Sequence, residues 1–177
     1  MAKIYVVITK TGTVVSKAIR LCTNNHVSLS FDPSLEKMYS FGRLFPSSPI
    51  PGGFVQEGKS CGFFWRFPET ECMVYEKTVS RDVEQKFYRM LAFFEENRYG
   101  FNHLGLITLL AGFPLERRRA FFCSQFCGKM LEEIGACAMP KEYGLLQPMD
   151  FCDLDGFTLV FEGRLQEYFP ARERIVV

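Results

Sequence analysis

The stretch RRRAFFCSQFCGKMLEEIG, from Arg117 to Gly135, has two readings, and the choice between them decides the fold. In one, a single helix runs unbroken from Pro114 to Ile134 and Cys123 sits in its middle. In the other, a helix begins at Cys123, and Ser124 directly after it favours that start. Positions 127, 130, 131 and 134 form an apolar stripe at helical spacing, and Gly135 is a natural C-terminal cap. If the helix begins at Cys123, the thiol meets unpaired backbone N–H groups, which favour a thiolate and suit an oxyanion. If it does not, Cys123 is one more small apolar side chain in a Phe-rich core. Cys127, one turn later, faces the core either way.

Upstream of this stretch the chain reads mainly as strands. KIYVVITK (Lys3–Lys10) is rich in β-branched residues. Thr11–Thr13 reads as a turn, and Ser16 as the cap of a short helix. HVSLSFD (His26–Asp32) alternates, with His26, Ser28 and Ser30 on one face and Val27, Leu29 and Phe31 on the other. A turn at DPSLEK leads to a second strand, KMYSFGR, which makes a hairpin with the first. LFPSSPIPGG is dense in Pro, Ser and Gly and reads as a long loop. FVQEG and ECMVYEKTV read as further strands. Ser80 opens a clear amphipathic helix with Val83, Phe87, Met90, Leu91 and Phe94 on its apolar side. FNHLGLITLLAG is apolar nearly all round, which predicts a buried helix ending at Gly112, and Pro114 is placed to begin another. FTLVFEG is a last strand before a polar tail. Strands, then helices, then a strand predict an α+β fold, with an antiparallel sheet packed against helices in one domain over residues 1–177.

Composition narrows the function. A net charge of +1 with mixed acids and bases lacks the basic stripe of a nucleic-acid binder. Arg117, Arg118 and Arg119 are the one short basic run, and they predict a solvated face. No segment reaches the roughly 18 apolar residues of a membrane span, so no integral membrane segment is expected. MAKIYVVITKTGTVVSK lacks the basic start, long apolar middle and cleavage site of a secretion signal, which predicts a cytoplasmic protein. Seven irregularly spaced cysteines fit reduced thiols in that setting. A zinc site would want a second close pair beside Cys123 and Cys127, and TKTGTVVSK lacks both nucleotide-binding fingerprints, so neither a zinc site nor a nucleotide loop is expected.

The chain has two histidines. His103 lies in the apolar helical stretch and reads as a core or rim residue. His26 begins a strand, beside small polar residues that leave room for a partner. A Cys–His pair would need a third group to orient the imidazole. Glu57, in GGFVQEG, and Ser40, in MYSFGR, are both candidates. Pattern alone also allows an exposed carboxylate at Glu57 and a plain polar residue at Ser40.

Taken together, HVSLSFD, a later strand ending Glu-Gly, and FFCSQF at a helix start resemble the circularly permuted papain-like proteins of the NlpC superfamily, the YiiX-like group in particular. In that group the order is His, a polar third residue, then Cys. The nucleophile motif there is an aromatic residue followed by Cys-Ser-Glu. Here it stands as Phe122-Cys123-Ser124-Gln125-Phe126, with Gln125 in place of Glu. NRYGFNHLGLI resembles the segment that precedes this motif. The resemblance runs from about His26 to the helix after Cys123. It implies a permuted papain-like fold in which Cys123 is the nucleophile and His26 the base. Glu57 fits the acidic third position, and Ser40 keeps its place because another hairpin strand intervenes. The backbone N–H groups of Cys123 and Ser124 would hold the oxyanion.

What the resemblance implies is acyl transfer without a cofactor. The leading expectation is a thiol hydrolase acting on a peptide or amide. A second is a lipid acyltransferase or thioesterase similar to lecithin retinol acyltransferase, with LFPSSPIPGG and CGFFWRF lining an acyl cleft; the plainer reading puts Trp65 and its neighbouring phenylalanines in the core. A third, from another class, is a binding protein that keeps the fold without turnover. Sequence leaves the oligomeric state and the scissile bond open.

Overall fold

The computed structural model describes residues 1–10, 26–45 and 48–170, with backbone alone for 43–45 and 48–51. The expected turn at Thr11–Thr13 and the helix capped by Ser16 lie outside the described residues. Among the described residues eight strands form one sheet: β1 (Ala2–Lys10), β2 (His26–Ser30), β3 (Met38–Phe45), β4 (Ser48–Glu57), β5 (Glu71–Val79), β6 (Gly100–Phe101), β7 (Ala120–Phe121) and β8 (Thr158–Arg164). Their order is β7-β6-β4-β3-β2-β1-β5-β8. Neighbours are antiparallel except the short β6–β7 pair, which is parallel. Four helices accompany the sheet among the described residues: α1 (Gly62–Arg66), α2 (Arg81–Glu96), α3 (His103–Leu110) and α4 (Cys123–Glu133). The α+β class holds. None of these helices is long and apolar enough to cross a membrane.

β1 explains the two-sided build. Its centre, Ile4–Ile8, is apolar without a break, as a strand covered on both faces must be. Ile4, Val6 and Ile8 face a large core shared with α2 and α4, while Tyr5 and Val7 face a smaller one. The large core is aromatic: the Phe31 and Phe87 rings meet at a tilt with centroids 4.9 Å apart, and the Phe126 ring centroid lies 5.1 Å from that of Phe94 and 5.2 Å from that of Phe41. α2 starts where expected, with the Ser80 hydroxyl accepting from the Val83 N–H at 3.3 Å. Its Phe87, Leu91 and Phe94 are buried. Phe64 of α1, with Leu165 and Tyr168, fills the smaller core on the opposite face.

Four expectations need correction. LFPSSPIPGG is not a long loop, since β3 continues to Phe45 and β4 resumes at Ser48, paired from Met38↔Glu57 to Phe45↔Ser48. Proline is tolerated there because, among the described residues, the far side of this part of β4 has no ladder partner before Gly53↔Gly100. The glycines serve close approach, for a Cβ on Gly52 would fall 2.8 Å from the Cβ of Phe101. Second, no helix begins at Pro114; residues 114–119 are irregular and lead into β7. Third, α3 is not buried, and most of its apolar side chains face outward. Trp65 is also exposed rather than core, although Phe64 beside it is buried.

Candidate active site

Three element ends meet at one place: the start of β2, the end of β4 and the start of α4. α4 begins at Cys123 because β7 occupies Ala120–Phe121 and Phe122 is extended (φ −105°, ψ 170°). The first intrahelical bond runs from the Phe126 N–H to the Phe122 carbonyl at 3.0 Å. The N–H groups of Cys123, Ser124 and Gln125 precede that bond, so they have no partner within the helix. The far end closes as the sequence predicts. Gly135 adopts φ +78°, its N–H bonds to the Glu132 carbonyl at 2.9 Å, and the Ala136 N–H bonds to the Leu131 carbonyl at 2.8 Å.

His26 opens β2, and its Nε2 lies 2.9 Å from Oε2 and 3.1 Å from Oε1 of Glu57. The Ser28 hydroxyl, two residues along the same strand face, donates to Glu57 Oε2 at 2.8 Å and fixes the carboxylate. Strand β3 lies between these partners, and the carboxylate reaches across it at Gly42, where a Cβ would make ordinary contact with His26 Cε1 and Glu57 Oε1, 3.6 Å from each. The Cys123 side chain lies close enough to the imidazole to raise its pKa. With Nε2 facing Glu57, Nδ1 is the ring nitrogen left for it. Burial by itself disfavours a charged ring. The Glu57 carboxylate and the neighbouring Cys123 outweigh it, and the His26 pKa is pushed up to about 10.

Of the two candidates for the third position, Glu57 contacts the ring and Ser40 does not. The Ser40 hydroxyl is buried and donates to the Val27 carbonyl at 2.7 Å. Cys127 lies beside it, with its thiol 3.4 Å from the same carbonyl. His103 stands apart: it is exposed at the start of α3, its ring centroid 4.8 Å from that of Phe101. Arg117, Arg118 and Arg119 are exposed, as a solvated run should be.

Two contributors escaped the sequence reading. Ser28 was visible as a polar residue on the His26 face, but nothing in the pattern pointed it at Glu57. Asn102 stands as a capping residue ahead of the α3 stretch, but nothing in the sequence tied it to Gln125. Its side-chain amide donates to Gln125 Oε1 at 3.0 Å and to the Leu115 carbonyl at 2.9 Å, while its Oδ1 accepts from the Gly105 N–H at 2.9 Å. Gln125 completes the network. Its Oε1 accepts from the Phe122 N–H at 3.3 Å and its Nε2 donates to the Leu115 carbonyl at 3.0 Å. The departure at Gln125 thus has a physical reason, since a carboxylate has no donor for that carbonyl. Ser124 holds the other flank by donating to the Leu146 carbonyl at 2.5 Å. Among the described residues no group of three or more His, Cys, Asp or Glu side chains is placed to hold a metal ion.

Comparison with protein-family models, with curated proteins and with solved structures gave no match. The functional reading therefore rests on this geometry and on the sequence resemblance.

Proposed function

We propose that the protein is a thiol hydrolase of permuted papain-like type, acting by acyl transfer on an amide or peptide bond. One observation carries the reading: a single imidazole lies between a carboxylate and a thiol, and that thiol stands at the open N-terminal turn of a well-packed helix. Glu57 orients the ring and supports its positive charge, the role a third residue plays in such sites. The proton of Cys123 passes to His26 Nδ1. The thiolate attacks the carbonyl carbon, and the negative oxygen is met by the backbone N–H groups of Cys123 and Ser124. When the C–N bond breaks, His26 returns the proton to the leaving amine, and an acyl thioester remains on Cys123. Water then gives up a proton to His26, attacks the thioester and releases the carboxylic acid, restoring the thiol. The high His26 pKa suits the first half of this cycle, because the ring retains a proton across the neutral range until the amine departs.

The test is alkylation of the native protein by iodoacetamide across pH, with each cysteine followed by peptide mass mapping. Cys123 is expected to react first, at a pH well below the free-thiol value of about 8.5, and His26→Ala to abolish that selectivity. Reaction of Cys123 no faster than Cys61, which is exposed, would overturn the proposal. A panel of amides, esters and acyl lipids then identifies the bond, and hydrolysis of esters or lipids alone would reassign the enzyme to the thioesterase or acyltransferase class.

A further inference from the structure

We propose that the outer face of α3, with the arginines that follow it, is a docking surface for an anionic lipid bilayer. Helical spacing places His103, Leu104, Ile107, Leu110 and Ala111 on one contiguous arc. That arc faces away from the protein: Leu104 is 56% exposed, Ile107 63% and Leu110 50%. The helix rests on the protein through Gly105 and Leu109 instead. Phe113 follows the turn at Gly112 (φ +77°) and is 67% exposed. A helix in a water-facing position normally does the reverse and turns its apolar side in.

Charge identifies the occupant. From Tyr99 to Leu115 the chain has no Asp, Glu, Lys or Arg, and then come Arg117, Arg118 and Arg119 with Glu116 alone beside them. All three arginines are exposed, and none forms an ion pair with a described residue. The segment carrying them runs back along α3. The Phe113 N–H bonds to the Thr108 carbonyl at 2.9 Å, the Leu115 carbonyl accepts from Asn102 at the other end of the helix, and the Arg119 carbonyl accepts from the Gly100 N–H at 3.0 Å. The Arg119 guanidinium donates to the Asn97 carbonyl at 3.4 Å and stands over the Tyr99 ring, so Arg117 and Arg118 are the cations left on the segment that runs back along the uncharged apolar helix. That is the arrangement of a helix lying in the headgroup layer, where apolar residues enter the acyl boundary and arginines meet anionic headgroups. With eight residues, α3 is about 12 Å long, so it lies on a bilayer and does not span one. The Asn102–Gln125 bond joins the start of α3 to the first turn of α4, so docking would bring the Cys123 end of the molecule toward the lipid surface.

The docking does not depend on the thiol chemistry, and flotation of the full chain with lipid vesicles tests it. On vesicles of phosphatidylcholine with about one-third phosphatidylserine, binding is expected to be roughly tenfold tighter than on phosphatidylcholine alone, and to weaken as salt rises. Ile107→Asp with Phe113→Asp should cut binding to both by roughly tenfold or more. Arg117→Ser with Arg118→Ser should remove the anionic preference and leave the residual neutral binding. Leu159→Asp, on the distant β8, and Cys123→Ala should bind as the native chain does. Circular dichroism checks the fold, and Phe113→Ser replaces the aspartate pair if that pair unfolds. Absence of vesicle binding, or binding unchanged by both sets of variants, overturns the proposal. So does a native dimer that the aspartate pair converts to monomer without affecting lipid binding, for the face would then belong to a second copy of the chain.

Discussion

Cys123 and Cys127 stand one turn apart on α4, and their surroundings differ in every respect that matters to a thiol. Cys123 occupies the start of the helix, where the first N–H groups have no partner within it, and its side chain lies beside the His26 ring. Cys127 is fully buried, with its thiol directed at the Val27 carbonyl. Burial, followed by the charges of Cys123 and Glu57, pushes the Cys127 thiol well above its ordinary value. The contrast teaches that residue type decides little here and position along the helix decides much. The first turn has unpaired donors and a charged neighbour, while the second has a packed core. Alanine at each site should separate the roles. Cys123→Ala is expected to lower turnover by about a thousandfold or more while leaving urea stability near native. Cys127→Ala should keep selective alkylation at Cys123 and cost about 1–2 kcal/mol of stability through the cavity it leaves. Loss of Cys123 reactivity in Cys127→Ala, at unchanged stability, would dissolve the distinction.

The next effect concerns the charge that marks the first turn. His26 titrates at about 10 in the folded chain against an ordinary 6.5. A group with a raised folded pKa stabilises the fold fully below its unfolded value. Its contribution is therefore complete below about pH 6.5, fades as pH rises, and is gone above about pH 10. Glu57→Gln removes the carboxylate charge and leaves the cost of burial, so the ring's pKa should fall and the stability decline between neutral and alkaline pH should flatten. Proton NMR titration of the imidazole reads the first, and urea melts at a series of pH values read the second. An imidazole whose titration is unmoved by Glu57→Gln would show that another group supports its charge.

Smaller still is the effect of restoring the acid that the resembled motif carries. In Gln125→Glu the carboxylate would face the Leu115 carbonyl with nothing to donate, at a position almost wholly buried. The expected cost is about 1–3 kcal/mol at neutral pH. It should shrink as pH falls and the side chain protonates, because a carboxylic acid can donate to that carbonyl. A variant as stable as the native chain at neutral pH would mean that Leu115 can turn its carbonyl elsewhere.

Much of this was legible before any coordinates. The strand of β1, the cap at Ser80, the stripe at 127, 130, 131 and 134, and the cap at Gly135 are local signals, and local physics decides them. The sequence also narrowed the third position to Glu57 and Ser40. It could not choose between them, because the choice depends on a reach across β3 from one strand to the next but one, which only the sheet order brings about. α3 was misread for a related reason. Its apolar composition resembles that of a buried helix, and α4 shows that such helices do bury their stripes. Whether a face is covered depends on what packs against it, which no window of sequence contains. LFPSSPIPGG misled because Pro and Gly break interior strands, whereas its prolines lie ahead of Gly53, where β4 meets β6, on a stretch with no second ladder partner among the described residues.

The smallest expected effect sharpens the contrast from the other side. Ser40 shares the Val27 carbonyl with Cys127, so it belongs with the second turn of α4 and not with the first. Ser40→Ala removes one buried donor, and the carbonyl keeps the thiol contact. The expected loss is about 1 kcal/mol of stability, as for one ordinary hydrogen bond. The pH profile of Cys123 alkylation should superimpose on that of the native chain. A changed profile, with stability altered no more than this, would draw Ser40 into the site and show that the two turns act as one unit through Val27.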